Sequence, residues 1–113
     1  MLDSPPPDRG DVYRVTFRGV GHELQGPHYA VVVTDYPYTQ LSTVIVVPFS
    51  SAAQAATHRP EATIDGRRTR ALIEQASAIS RNRLGTFVGS LAGTPIMDEI
   101  DEQLRAQLGL EQF

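Results

Sequence analysis

The chain contains no cysteine and no lysine. Without thiols it can form neither disulfides nor thiolate metal sites, and the lack of cysteine fits a cytosolic protein. No apolar run approaches the roughly 20 residues of a membrane helix, so no spanning segment and no membrane partner are expected. The opening MLDSPPPDRG is polar and proline-rich, unlike a secretory signal or a basic targeting arm. Without lysine, all ten basic residues are arginine. Arginine can grip phosphate or carboxylate with two donors at once, and it also makes ordinary surface pairs.

The formal net charge of -3 speaks mildly against a dedicated nucleic-acid binder, but its distribution softens that. From Thr94 onward five acids (Asp98, Glu99, Asp101, Glu102, Glu111) stand against one base, Arg105. Residues 1–93 hold nine arginines against eight acids, or +1. The tail is acidic and the body is not. A hydrophobic fraction of 41% over 113 residues supports a single domain with a single core.

Residues 1–8 are expected to be a disordered lead, with one domain over residues 9–113. DVYRVTFR at 11–18 alternates, placing Tyr13, Val15 and Phe17 on one face and Arg14, Thr16 and Arg18 on the other, as in a half-buried strand. Gly19 to Pro27 reads as a loop and Tyr29 to Thr34 as a central strand. Asp35 to Gln40 reads as a turn and Thr43 to Phe49 as a second buried strand, with Pro48 suiting its end. Ser50 to Pro60 is small, polar and loop-like. Glu61 to Ile64 and Ala71 to Gln75 read as strands flanking an Asp65-Gly66 turn, with Ala76 to Ser80 continuing the second. Thr86 to Leu91 is a last short strand.

The C-terminus carries a helix signature: Thr94 to cap it, Pro95 at its first position and Gly109 at its exit. Ile96, Ile100, Leu104 and Leu108 recur every four residues as its apolar stripe. Acids in its first turns suit the helix dipole, which accounts for the acidic tail without a functional role. Short strands followed by one helix imply a mainly β fold, a small bent sheet or SH3-like barrel with a C-terminal α-helix.

Several side chains can carry chemistry. His22 and His28 flank the loop entering the central strand, where imidazole suits proton transfer near neutral pH. His22, His28 and His58 lack a tight metal-ligand spacing, so no metal or cofactor is expected. Glu74 interrupts an apolar run. Strand alternation would put it beside Leu72 on one face, with Ala71, Ile73 and Gln75 on the other. Ser50 and Ser51 end the VVP strand, where hydroxyls can bind phosphate. Arg67, Arg68 and Arg70 form one cationic cluster, Arg81 and Arg83 another. Tyr29 could stack on an unpaired base, as aromatics do in single-strand binders.

RGDVYRVTF at 9–17, GHELQG at 21–26, AVVVTD at 30–35 and VIVVPFSS at 44–51 together resemble the MazF/PemK toxins. The likeness runs from Arg9 to Leu110, taking in LIEQASAISRNRLG at 72–85. GHE-x-Q-G is closest to the PemK/Kid branch. The resemblance implies an SH3-like barrel of the CcdB/MazF/PemK type, acting as a homodimer. It implies a metal-independent endoribonuclease that cuts single-stranded RNA by 2'-hydroxyl attack, neutralised by a MazE-like antitoxin. The CcdB type poisons gyrase instead, and the GHE-x-Q-G loop speaks against that reading.

By this resemblance His28 falls where the family has an arginine and Tyr29 where it has a proline. Ser50 matches its Thr or Ser, His22 a histidine of the PemK/Kid branch, and Glu74 that branch's functional Asp. Leu72 stands where the branch has a second arginine. His28, Ser50, Glu74 and His22 are thus the expected catalytic residues, and Gln25, Tyr29, Ser51, Gln75, Arg81 and Arg83 the expected RNA contacts. Both missing arginines keep open an alternative, a barrel that binds RNA or a protein without cutting.

Overall fold

The computed structural model describes residues 5–110. Within them lie seven strands, β1 (Asp11–Arg18), β2 (Gln25–Val32), β3 (Thr43–Ser50), β4 (Glu61–Ile64), β5 (Arg67–Ala71), β6 (Ser77–Ser80) and β7 (Phe87–Ser90), and one helix, α1 (Pro95–Gln107). The sheet runs β4-β5-β3-β2-β1-β7, with β6 also pairing β3, and every pairing is antiparallel. β3 divides its outer edge: its first half binds β6 and its last two residues bind β5. That division bends the sheet into a half-barrel. No described helix is long and apolar enough to cross a membrane.

The β-branched run of β2 and β3 is continuous because both faces of these strands are covered. Val12, Val31, Val47, Phe49, Ala62, Ile64, Ala71 and Ile73 join Met97 and Ile100 of α1 in one cluster. Val15, Phe17, Ala30, Val32, Val44, Val46 and Ile79 fill the other face. The single core expected from composition is therefore split in two by the sheet.

The helix ends lie as their signals predict. Thr94 accepts the Met97 amide at 3.3 Å, Pro95 opens the helix, and Gly109 adopts φ 71° just past it. The apolar stripe departs from its expected form. Ile100 is fully buried and Met97 joins it, whereas Leu108 is 65% exposed. At about 100° per residue, twelve residues from Ile96 rotate Leu108 some 120° off the stripe, while Met97 sits three residues before Ile100.

Three differences from the sequence reading exceed two residues. β2 starts at Gln25, four residues before Tyr29, because β1 extends to Arg18 and its register carries Gln25, Gly26 and Pro27 into the ladder. The strand after the Asp65-Gly66 turn is Arg67–Ala71, not Ala71–Gln75; Ile73–Gln75 is a 3-10 turn and Ser77–Ser80 a separate strand. Ala71, Leu72 and Ile73 are all buried, so their apolar run marks a junction covered on several sides rather than a strand. Of the expected lead, residues 1–4 lie outside the described residues. Pro7 is buried, and the Asp11 amide donates to the Asp8 carbonyl at 3.0 Å. Arg9 then ties this start to α1 through Asp101.

Candidate active site

β2 and β3 pair only between Ala30↔Pro48 and Val32↔Val46. Past Pro48, β3 turns to β5 through Phe49↔Ala71 and Ser50↔Arg70. The two strands part, and the His28 ring bridges them. Its Nδ1 lies 3.0 Å from the Phe49 carbonyl oxygen and its Nε2 3.0 Å from that of Gln25. Phe17 meets the ring edge-on, centroids 6.3 Å apart. A neutral imidazole has one N–H; only the imidazolium donates to both carbonyls at once.

Beside this bridge a cleft of about 70 Å³ is lined by Arg14, His28, Tyr29, Ser51, Arg67 and Thr69, with Pro27 and Phe49. The Arg14 guanidinium lies 5.2 Å from the Tyr29 ring centroid, a cation–π distance. The register places Arg14 opposite Tyr29. The Tyr29 hydroxyl donates to Asp65 at 3.2 Å. Asp65 (φ 52°) and Gly66 (φ 77°) form the tight β4–β5 turn, where two left-handed residues match the twist of the hairpin. Arg14 and Arg67 are exposed and pair with no carboxylate among the described residues. The cleft thus offers two cations, a hydroxyl and an imidazole to an anion.

A larger groove of about 400 Å³ holds other expected residues. Glu74 and Gln75 line it with Arg18, Glu23, Leu24 and Arg83. Gln75 fastens the 19–24 loop: its Oε1 accepts the Leu24 amide at 3.2 Å, and its Nε2 donates to the His22 carbonyl at 3.1 Å. Gly19 lets that loop close, since a Cβ there would lie 2.4 Å from the Glu23 Cβ. Arg59 donates to Glu74 at 2.8 and 3.2 Å. Burial raises the Glu74 carboxyl, but the Arg59 hydrogen bonds, its own backbone amide, the Arg59 charge and His58 outweigh it and hold it below 4.5.

The structure therefore gathers His28, Tyr29 and Ser51 in the cleft and Glu74, Gln75 and Arg83 around the larger groove. Ser50 lies at 8% exposure inside the β3–β5 ladder. Arg81 is equally buried, its guanidinium 3.4 Å from the Gln40 carbonyl. His22 is exposed on its loop; Gln25 is exposed, and its carbonyl faces His28. Leu72 is packed in the interior at 6% exposure, so its side chain cannot be replaced by a cation without cost. Arg14 and Thr69 line the cleft without having been singled out for it. Alternation placed Arg14 on the polar face of β1, but its pairing with Tyr29 is a matter of register. Among the described residues no three His, Asp or Glu side chains converge to hold a metal.

A bent β half-barrel with one terminal helix is the architecture of MazF. MazF of Deinococcus radiodurans superposes with a TM-score of 0.81 at 21% identity, over 94% of this chain and 99% of that one. An endoribonuclease in complex with its cognate antitoxin, from a mycobacterial species, superposes at 0.75 with 19% identity, over 97% and 100%. At these identities the likeness is one of fold. In sequence, a candidate toxin of Mycobacterium tuberculosis is 45% identical over 75 residues, 63% of this chain and 68% of that protein. The family described as PemK-like, MazF-like toxin of type II toxin-antitoxin system matches residues 8–108. The chain belongs to that family.

Proposed function

We propose that this chain is an endoribonuclease toxin that acts in the cytoplasm, cutting single-stranded RNA without a metal. The observation that carries this reading is the convergence of Arg14, Arg67, Ser51 and His28 on one cleft. A scissile phosphate seated there would meet both guanidinium groups and the Ser51 hydroxyl, donors suited to the charge of a pentavalent phosphorus. The 2'-oxygen attacks phosphorus and the bond to the 5'-oxygen breaks, leaving a cyclic phosphate and a 5'-hydroxyl. His28 protonates the departing oxygen, its Nε2–H turning from the Gln25 carbonyl on the exposed side. The 2'-proton leaves to solvent at the open cleft; Glu74, held by Arg59 in the larger groove, and His22, exposed on the 19–24 loop, line no part of that cleft. Tyr29, steadied by Asp65, stacks on a flanking base.

Family membership and the antitoxin-bound endoribonuclease among its structural relatives support a MazE-like antitoxin as partner, and a homodimer is the working form that the MazF/PemK resemblance implies. A second reading, binding without cutting, has one observation in its favour: both nitrogens of His28 already face main-chain carbonyls. A panel of mixed-sequence single-stranded RNAs separates the two. Cleavage by the wild type that a His28→Ala, Ser51→Ala double variant lacks supports the enzyme. Binding with no cleavage selects the second reading.

A further inference from the structure

Three depressions of the surface share their borders. Arg14 and Pro27 line both the His28 cleft and a groove of about 350 Å³ beside the last residues of β1, where that strand runs on beyond its pairing with β7. Arg18 and Arg83 line both that edge groove and the larger groove beside Glu74. The three form one path along the β1 face that presents Arg14, Thr16 and Arg18. Arg83 closes the strand's edge, donating to the Thr16 carbonyl at 2.7 Å.

The arginines are sorted by location. Arg9 pairs with Asp101, Arg59 with Glu74, and Arg68 and Arg70 with Glu61. Arg14, Arg18, Arg67 and Arg83, which border the path, pair with no carboxylate among the described residues. Cations gathered without counter-charges repel one another and attract a polyanion. At a strand rise of about 3.3 Å, Arg14 and Arg18 stand roughly 13 Å apart, a span of a few nucleotides. At the far end stand Glu23 and Glu74, whose charge turns phosphate away.

We propose that Arg14, Arg18 and Arg83 form a track for the phosphates of single-stranded RNA beside the cut, running from the His28 cleft to the Glu23–Glu74 end. The proposal rests on the RNA-cutting reading above and deepens it by naming where the flanking strand lies. The grip is on charge, so it positions the strand without reading its sequence. An acidic peptide would meet the same cations. RNA is favoured because none of the exposed large hydrophobic side chains lines the edge groove, and a protein partner draws most of its binding energy from such anchors.

The test is the salt dependence of binding to a mixed-sequence single strand of 2'-O-methyl RNA, which cannot be cut because its 2'-oxygen is blocked. Fluorescence anisotropy is read with the full chain, Arg18→Gln, Arg83→Gln and, as a control on α1, Arg105→Gln. Each track variant should flatten the slope of log affinity against log salt by about 0.7 and weaken binding several-fold at low salt; the control should match wild type. Arg83→Gln also removes the bond to Thr16, so Arg18→Gln, whose side chain makes no hydrogen bond or ion pair among the described residues, is decisive. An unchanged slope for Arg18→Gln overturns the track, as does a wild type that binds polyglutamate and not RNA. If the wild type cuts RNA while that slope is unchanged, the track fails and the enzyme reading stands. If it binds with the expected slopes and never cuts, the track stands and the enzyme reading fails.

Discussion

The His28 Nδ1 lies 3.0 Å from the carbonyl oxygen of Phe49, so a side chain closes the gap where the β2–β3 ladder stops. A ring anchored on two strands is pre-organised, which is what a proton carrier or a fixed charge requires. Loss of a positioned acid lowers a rate by about 100- to 10,000-fold, and His28→Ala is expected to fall in that range. His28→Arg restores a charge but no transferable proton at neutral pH. It should keep RNA affinity and not recover cleavage. Separate measurement of kcat and Kd checks this; an arginine variant that cuts faster than wild type contradicts it.

Tyr29 and Asp65 join the central sheet to the β4–β5 turn. Tyr29→Phe loses one hydroxyl–carboxylate bond and keeps the ring, so stability should drop by about 0.5–1.5 kcal/mol with RNA affinity nearly unchanged. Tyr29→Ala loses the platform, and binding of single-stranded RNA should weaken by about 1–3 kcal/mol. Equal affinity losses in the two variants would show that the hydroxyl, not the ring, contacts RNA.

Gln75 holds the 19–24 loop through two bonds from one carboxamide. In Gln75→Leu the Leu24 amide loses its acceptor, and at about 0.5–1.5 kcal/mol per bond its hydrogen exchange should speed up by up to roughly tenfold. Amides of the β2–β3 ladder should not change. Undiminished protection at Leu24 rules the clasp out.

Glu74 gives the fold a dependence on acid. Its folded carboxyl titrates below 4.5, so the unfolded chain takes up this proton first. The Arg59–Glu74 pair therefore stabilises the fold above pH 4.5, and that contribution disappears as pH falls through the lowered folded value. The pair is partly exposed, so the amount is at most about 1 kcal/mol. Denaturant unfolding of wild type and Glu74→Gln across this range should converge in acid; a gap that widens there contradicts the assignment.

Legibility followed local period. β1 alternates and α1 carries cap, proline and glycine signals, so both were readable with their ends. β5 was not: Arg67, Arg68 and Arg70 look like loop charge, and only pairing with β4 shows that Arg68 and Arg70 face Glu61 while Thr69 and Ala71 turn inward. The same limit governs the site. Motif order brought out His28, Tyr29 and the serine pair, but whether Ser50 or Ser51 faces the cleft depends on where β3 leaves β2. Arg14 entered the site through its cross-strand neighbour, a relation that exists only after folding. Glu74 stands out because it breaks an apolar run and Gln75 through the family resemblance, and the break is a turn whose two side chains fasten two loops.

The most direct test of the central claim is the chemistry of the RNA ends left by the purified chain in the presence of a metal chelator. The account predicts fragments with 5'-hydroxyl and 2',3'-cyclic phosphate ends, formed by the wild type and lost in Arg14→Gln and in Ser51→Ala. Intact RNA across a broad panel of single-stranded sequences, or cutting that persists when the cleft residues are replaced, would contradict it.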